Sequence, residues 1–237
     1  MNKPRPWLYW AVLSVLCLLG VSCCKQQQKD PFRYKVAIIG NPSNPDIRYD
    51  ESQMQALKNL GYNTLQLNIA WGARPADEPL NLEDILYVDG IGSREKADQR
   101  LQAIKERARI AKKWGFRTLF HFGAPRVDSL YKILTPDLID IATEKNSIQK
   151  KEIVDKYVSL LKRLKQEVPE LDDIEVYTFD QDAWVANEFG NGPTDRDIPL
   201  HERIPAFLQA LTGAWAEVSP DGMVWWEPWE ISAGQIY

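Results

Sequence analysis

The sequence has few residues of the kinds that bind metals or form covalent bonds. Its three cysteines, Cys17, Cys23 and Cys24, all lie near the N-terminus, and the whole chain has only two histidines. The rest of the chain therefore offers no disulfide, no thiolate metal site and no catalytic cysteine, and it has too few histidines for a histidine-rich metal centre. We expect neither a metal nor a cofactor.

Positive charge and glycine-rich loops are also scarce. The formal net charge is −4, and removing Lys3 and Arg5 would leave −6. A chain with this acidic balance lacks the basic patch that binds nucleic acid. The segment Gly40 to Pro45 follows the first predicted strand and has neither the GxGxxG nor the GKT pattern of a phosphate-binding loop. A dinucleotide-binding fold is therefore disfavoured.

One long hydrophobic run is present, and it lies at the N-terminus. Residues 7–21 are apolar or small and follow a basic start, whereas a membrane-spanning helix needs about 20 apolar residues. The pattern predicts an export signal over residues 1–23. Gly20-Val-Ser-Cys23 resembles a lipoprotein signal-peptidase motif, so we expect Cys23 to be lipidated and to anchor the protein in the cell envelope. A plain secretory signal, an uncleaved anchor helix and lipidation of Cys24 are the alternatives.

After a polar tether over residues 24–33, strand and helix patterns alternate through one domain over residues 34–237. Runs rich in β-branched and aromatic residues predict strands, and apolar residues at helical spacing predict helices. A polar loop is expected over residues 71–92. The predicted strands cover residues 34–39, 64–70, 117–122, 173–179 and 222–226, and the predicted helices cover residues 50–60, 93–114, 147–168 and 198–218.

This alternation predicts an α/β fold with a parallel sheet and right-handed crossovers. A doubly wound sheet is complete at five strands, whereas a (β/α)₈ barrel needs eight. Without a phosphate-binding loop, we favour the barrel. The chain would then hold the N-terminal portion of a parallel barrel, about five β/α units, and would be truncated relative to the complete fold.

Two acids follow the fourth predicted strand, in Phe179-Asp-Gln-Asp-Ala-Trp184. In an extended segment Asp180 and Asp182 point the same way, and two close carboxylates raise one another's pKa, so that one can act as an acid. Both are candidate catalytic residues, with Trp184 flanking a bound substrate. A metal-binding pair and a structural cap on a loop are the alternatives.

A second cluster ends the fifth predicted strand, in Trp225-Trp-Glu-Pro-Trp-Glu230. Aromatic faces stack on sugar rings, and carboxylates bind hydroxyls or protonate a glycosidic oxygen. We therefore expect Glu227 to be catalytic and Trp229 and Glu230 to bind substrate. The alternative is a strand whose tryptophans fill the core and whose acids form ion pairs.

Polar residues near the ends of the second and third strands are weaker candidates for substrate contact. His121 ends the third strand between two aromatic residues, and Asn68 lies in the second. Trp71 and Arg74 follow the second strand and could form a subsite for an acidic sugar. Structural roles are the alternatives, namely a hydrogen-bonded core histidine and an arginine stacked on tryptophan.

Four of these segments together resemble the glycoside hydrolase-like (β/α)₈-barrel lipoproteins of Bacteroidetes-type polysaccharide utilisation systems. They are the Cys23 motif, Phe179 to Trp184, Pro199-Leu-His-Glu-Arg203, and Trp225 to Gln235. The resemblance implies a carbohydrate partner and an acid/base residue after the fourth strand, the position of Asp180 or Asp182. Such proteins often have an Asn-Glu pair there, which this chain lacks.

The resemblance leaves catalysis by this chain open. Retaining members of the largest clan place their nucleophile after the seventh strand, beyond the five predicted here. We expect a glycan-active lipoprotein, and the alternative is a non-catalytic glycan-binding lipoprotein. A metal-dependent glycosyltransferase using Asp180 and Asp182 is disfavoured, because nucleotide sugars are cytosolic and this chain is exported.

Overall fold

The computed structural model describes residues 32–39, 48–69, 78–126, 146–177, 198 and 200–228. The chain divides into two compact units, Met1–Arg33 and Tyr34–Tyr237. The predicted signal peptide with Cys23 and most of the polar tether lie outside the described residues. In the described part of the chain, no helix is long and apolar enough to cross a membrane.

Strands and helices alternate along the second unit as the sequence predicts, and most bounds are tighter, although β3 and β5 each end one residue later than predicted. The elements are β1 (Val36–Ile38), α1 (Glu51–Asn59), β2 (Thr64–Gln66), α2 (Arg94–Lys113), β3 (Arg117–Gly123), α3 (Lys151–Glu167), β4 (Asp173–Tyr177), α4 (Leu200–Val218) and β5 (Val224–Glu227).

The ends of α1 show how local sequence sets these elements. Asp50 caps the helix by accepting a hydrogen bond of 2.8 Å from Gln53 N. Met54 and Leu57 lie three positions apart and are both buried, so that the helix presents one apolar face. Gly61, with φ of 83°, ends the helix in the left-handed region that glycine adopts without strain.

All five strands are parallel, and their order in the sheet is β1-β2-β3-β4-β5. Each crossover steps in the same direction, whereas a doubly wound sheet reverses direction part way. Since right-handed crossovers then put every helix on one face, the second face is free to line a barrel interior. The predicted fold is confirmed: the chain forms the N-terminal portion of a (β/α)₈ barrel.

The hydrophobic core lies between the sheet and the helices. Residues at alternate positions of the strands point toward the helices and are almost fully buried. They include Leu65 on β2, Phe120 and Phe122 on β3, and Ile174 and Val176 on β4.

The described part of the loop predicted over residues 71–92 is a connection between β2 and α2, but much of it is buried and not a solvent-exposed polar loop. Residues Leu82–Asp84 form a 3₁₀ turn, and Leu82, Ile85 and Leu86 are at most 1% exposed. Tyr157 of α3 donates a 2.9 Å hydrogen bond to Glu83 in this turn. The apolar residues are too few and too irregularly spaced for a periodic pattern. The turn packs against α2 and is held to α3 by the Tyr157 hydrogen bond.

Candidate functional site

The sheet face turned away from the helices encloses a hollow of about 340 Å³. Its lining comes from all five strands, with two side chains from each of β1, β3 and β5 and one from each of β2 and β4. These residues are Val36, Ile38, Gln66, Leu119, His121, Glu175, Trp225 and Glu227. We call this surface the lumen face.

The lining residues fall into three tiers because neighbouring barrel strands are offset by about one residue. In such a barrel each tier takes its side chains from alternate strands. From the strand register, the lower tier holds Val36, Leu119 and Trp225. The middle tier holds Gln66 and Glu175, and the upper tier holds Ile38, His121 and Glu227.

A contact in the upper tier agrees with this arrangement. His121 Nε2 lies 3.0 Å from Glu227 Oε2, although β4 runs between the two strands that carry them. The histidine side chain is 2% exposed, and the glutamate side chain is 33% exposed. The atoms are at ion-pair distance, but their alignment is not that of a hydrogen bond. The carboxylate thus reaches from the mouth of the lumen to a buried imidazole.

Neighbouring residues hold His121 in place. The Asn68 amide donates to the carbonyl of His121 at 2.8 Å and accepts from its backbone N–H at 3.1 Å. Gln66 Nε2 lies 3.5 Å from His121 Nδ1, and the Tyr177 ring meets the imidazole edge-on at 5.7 Å. If Gln66 donates to Nδ1, the remaining ring hydrogen is on Nε2, the atom next to Glu227.

Glu175 lies in the middle tier, where β4 runs between β3 and β5. Its register partners are His121 and Trp225. Burial raises the pKa of the Glu175 carboxyl, nearby His121 partly offsets that rise, and the charge of Glu227 adds to it. The lumen face therefore carries two carboxyl groups and one imidazole in adjoining tiers.

The structure brings together two of the predicted site residues, His121 and Glu227. Asn68 is 2% exposed, and both hydrogens of its amide are donated to protein carbonyls, those of Pro79 and His121. A contact between Asn68 and a sugar stays a prediction. In such a contact, the amide oxygen Oδ1 would accept a hydrogen bond from a sugar hydroxyl. The other predicted site residues lie outside the described part of the chain, namely Trp71, Arg74, Asp180, Asp182, Trp184, Trp229 and Glu230.

The sequence analysis missed Glu175 and Gln66. Each lies between apolar neighbours in a strand, Glu175 between Ile174 and Val176, so the two-residue strand period turns its side chain away from the core. That polar alternation is the signal that would have identified them.

Within the described residues, no group of three or more His, Cys, Asp or Glu side chains could hold a metal ion. The lumen face places Glu227 beside His121, two groups capable of proton transfer and charge stabilisation, with Glu175 in the tier below. Trp225 adds an aromatic surface beside Glu175 and packs edge-on against Tyr34 at 5.0 Å.

No protein-family profile and no curated protein sequence matches the chain. Solved structures that resemble it include a GH5_18 protein from Bifidobacterium longum subsp. infantis, with a TM-score of 0.47, 13% identity, and coverage of 81% of this chain and 43% of that one. The β-glycosidase BGL167 has a TM-score of 0.46 and 10% identity, with coverage of 83% of this chain and 56% of that one. The Pseudomonas stutzeri endoglucanase Cel5A has a TM-score of 0.42 and 12% identity, with coverage of 74% of this chain and 41% of that one. The chain thus spans about two fifths to somewhat over half the length of these three proteins.

Proposed function

We propose that the chain is part of a glycan-active barrel and that Glu227 is one of its catalytic carboxylates. The observation that best supports this is the 3.0 Å contact between His121 Nε2 and Glu227 Oε2, near the carboxyl ends of the strands. Barrel enzymes build their active sites at that end. Because a third of the Glu227 side chain is exposed, its carboxylate can meet a substrate entering the lumen.

Glycoside hydrolysis needs a second carboxyl group, and we assign it to Asp180 or Asp182. Glu227 is the register partner of Tyr177, the last residue of β4. Asp180 comes three positions after Tyr177. Even in an extended chain, the Cα atoms of Tyr177 and Asp180 are therefore within about 11 Å of each other. A carboxyl separation of about 5 Å would suit a retaining mechanism, and about 6.5 to 9.5 Å an inverting one.

The proposed substrate is an oligosaccharide or polysaccharide. Trp184, Trp229 and Trp71 would stack on sugar rings, and Arg74 and Glu230 would bind polar substituents. These residues follow β2, β4 and β5, and the carboxyl ends of these parallel strands lie at the same end of the sheet. The solved structures that resemble the chain include an endoglucanase and a β-glycosidase.

We further propose that the protein is exported and anchored in the cell envelope through Cys23. The support is the Gly20-Val-Ser-Cys23 motif and the hydrophobic run before it. Metabolic labelling with a palmitate analogue should mark the wild type and not Cys23→Ala. Equal labelling of both would refute Cys23 as the site.

The test of catalysis compares Glu227→Gln with a matched surface variant, Glu217→Gln on α4. We expect the full chain to release reducing sugars from some members of an oligosaccharide panel. Glu227→Gln should lower that rate by about 10²- to 10⁴-fold, because a positioned acid or base contributes that much. Glu217 has a side chain that is 64% exposed, so its variant should keep the wild-type rate.

Two results would contradict the assignment. Equal rates for Glu227→Gln and the wild type would exclude Glu227 from catalysis. A wild type that binds glycans without cleaving any, and that loses affinity on Trp229→Ala, would favour the non-catalytic glycan-binding lipoprotein.

A further inference from the structure

The middle tier carries polar side chains where a barrel interior is mostly filled by Val, Ile and Leu. Gln66 has a role there, because its amide donates to Asn68 O at 2.8 Å and lies against the His121 ring. Glu175 is half-buried and forms no hydrogen bond or ion pair with the residues that the structure describes. Partial burial of an acid without such a partner raises the free energy of its charged form, so its presence calls for a functional explanation.

The position of Glu175 suggests that explanation. The strand register sets it beside His121 on β3, and the two strands lie about 4.8 Å apart. Glu227 reaches His121 across β4, in the tier above Glu175. Both members of the upper-tier contact therefore adjoin the Glu175 carboxyl.

We propose that Glu175 is a positioning residue that holds a proton beneath the His121–Glu227 pair and so keeps Glu227 oriented toward His121. The proposal rests on the proposed function, in which Glu227 is catalytic. While Glu175 is neutral, Glu227 is the one carboxylate among the described lumen residues that competes for the imidazole. An ionised Glu175 would attract the same ring and repel Glu227, which would loosen the pair.

The charges around Glu175 favour the neutral form. Among the described residues, β3 contributes His121 and β5 contributes Glu227, while β1 and β2 contribute only uncharged side chains to the lumen face. Lower on β4, Asp173 is already bound by Arg117 at 2.6 Å. Burial and the charge of Glu227 raise the pKa of Glu175 despite the opposing effect of His121, so its proton is lost at higher pH than from an exposed glutamate.

The first experiment detects the proton itself by infrared titration of the full chain. We expect a protonated-carboxyl band to persist above the pH at which exposed glutamates have ionised. Because Asp180 or Asp182 can give a similar band, the variants are also made in a chain carrying Asp180→Asn and Asp182→Asn. There Glu175→Gln should lack the band, and the matched surface variant Glu152→Gln on α3 should keep it. Absence of the band from the wild type, or its persistence in Glu175→Gln, would overturn the proposal. This measurement requires no catalytic activity.

The second experiment measures the pH profile of glycan hydrolysis. Glutamine resembles the neutral acid at every pH, so Glu175→Gln should stay active near the wild-type optimum, and its alkaline limb should move to higher pH. Glu227→Gln should instead lose activity at all pH values. An equal loss for Glu175→Gln across the whole profile would indicate a merely structural role and overturn the proposal.

The two experiments separate the proposals. If the wild type cleaves no glycan, the proposed function fails, while the infrared band still decides whether Glu175 holds a proton. If Glu175→Gln does not fold, as judged by circular dichroism, the band above the glutamate range in the chain with Asp180→Asn and Asp182→Asn decides alone.

Discussion

Asp84 shows how one partly buried carboxylate can stabilise the segment between β2 and α2. Its Oδ2 accepts hydrogen bonds of 2.9 Å from the backbone N–H groups of Leu80 and Asn81, and its Oδ1 accepts one of 2.8 Å from Arg126. Burial alone would raise the pKa of Asp84, but these donors outweigh burial and lower it. The ionised form is therefore favoured in the folded protein.

This predicts a pH-dependent effect of Asp84→Asn. A folded-state pKa below the unfolded value of about 3.9 gives stability that is present above that value and is lost as the pH falls through the folded pKa. At pH 7 the variant should be about 1.5 to 3 kcal/mol less stable, since hydrogen bonds to a charged group contribute about that much. Urea unfolding at neutral and acidic pH measures the difference, which should shrink in acid.

Asp89→Asn is the matched control for this measurement. Asp89 lies 3.6 Å from Arg94, and its side chain is 95% exposed, so its removal should change stability by less than about 0.5 kcal/mol. A loss for Asp84→Asn that is the same at both pH values would contradict the electrostatic explanation and indicate a packing defect.

Residue type and position in the sequence predicted some site residues but not their contacts. His121 and Glu227 could be named because each is polar and comes near the end of an apolar strand. Their contact across β4 depends on the offset between strands, which no local pattern encodes. Glu175 was missed for a related reason, because its significance comes from the tier above it and not from its neighbours in the chain.

The connection between α4 and β5 depends on a close approach at Gly222. A Cβ at this position would lie 2.4 Å from Asp172 O, 2.5 Å from Trp215 Nε1 and 2.6 Å from Ser219 Oγ. The first of these atoms is backbone, and Trp215 is fully buried, so neither can easily move. Glycine at this position lets the chain after α4 pass close to Asp172, the residue before β4.

We therefore predict that Gly222→Ala lowers the free energy of unfolding by about 1 to 3 kcal/mol, the cost of overpacking. The control is Gly213→Ala within α4, where an added Cβ meets nothing within 4 Å. That change should stabilise the protein by about 0.5 to 1 kcal/mol, because alanine is the better helix former. Thermal or urea unfolding of both variants checks the pair, and equal effects of the same sign would contradict it.

At the scale of secondary-structure elements, the sequence alone predicted each helix and strand along which apolar residues recur at a regular spacing. The four helices and five strands were predicted because apolar residues recur along each at one spacing. The 3₁₀ turn at Leu82–Asp84 was not predicted, because three residues are too few to show a pattern. Its burial involves packing against α2 and contact with Tyr157 of α3. Local propensity could not supply that long-range contact.

At the scale of the whole molecule, the sheet order decides between two folds that the element pattern alone left open. Five alternating strands and helices suit both a doubly wound sheet and part of a barrel. The unbroken order from β1 to β5 and the His121–Glu227 contact across β4 are both barrel features. They place the acids on an interior surface, which is why we propose proton transfer in the lumen and not in a surface crevice.

The lumen face also predicts how the molecule behaves in solution. Val36 and Ile38 on this face are 37% and 39% exposed. Among the described strands, β1 pairs only with β2 and β5 only with β4, which leaves two sheet edges. Open edges beside exposed apolar side chains promote pairing between chains. We predict that the chain without residues 1–23 associates with itself, with a mass that falls on dilution in analytical ultracentrifugation.

A lysine substitution on the lumen face tests this cause. Ile38→Lys puts a charge on the exposed apolar surface beside an open edge, so it should shift the protein toward monomer. Leu60→Lys is the matched control, since Leu60 is 72% exposed at the end of α1 and does not line the lumen face. That variant should associate like the wild type. A wild type that stays monomeric at every concentration would mean that a single chain covers its own lumen face, and the proposed substrate path would then have to pass through that cover.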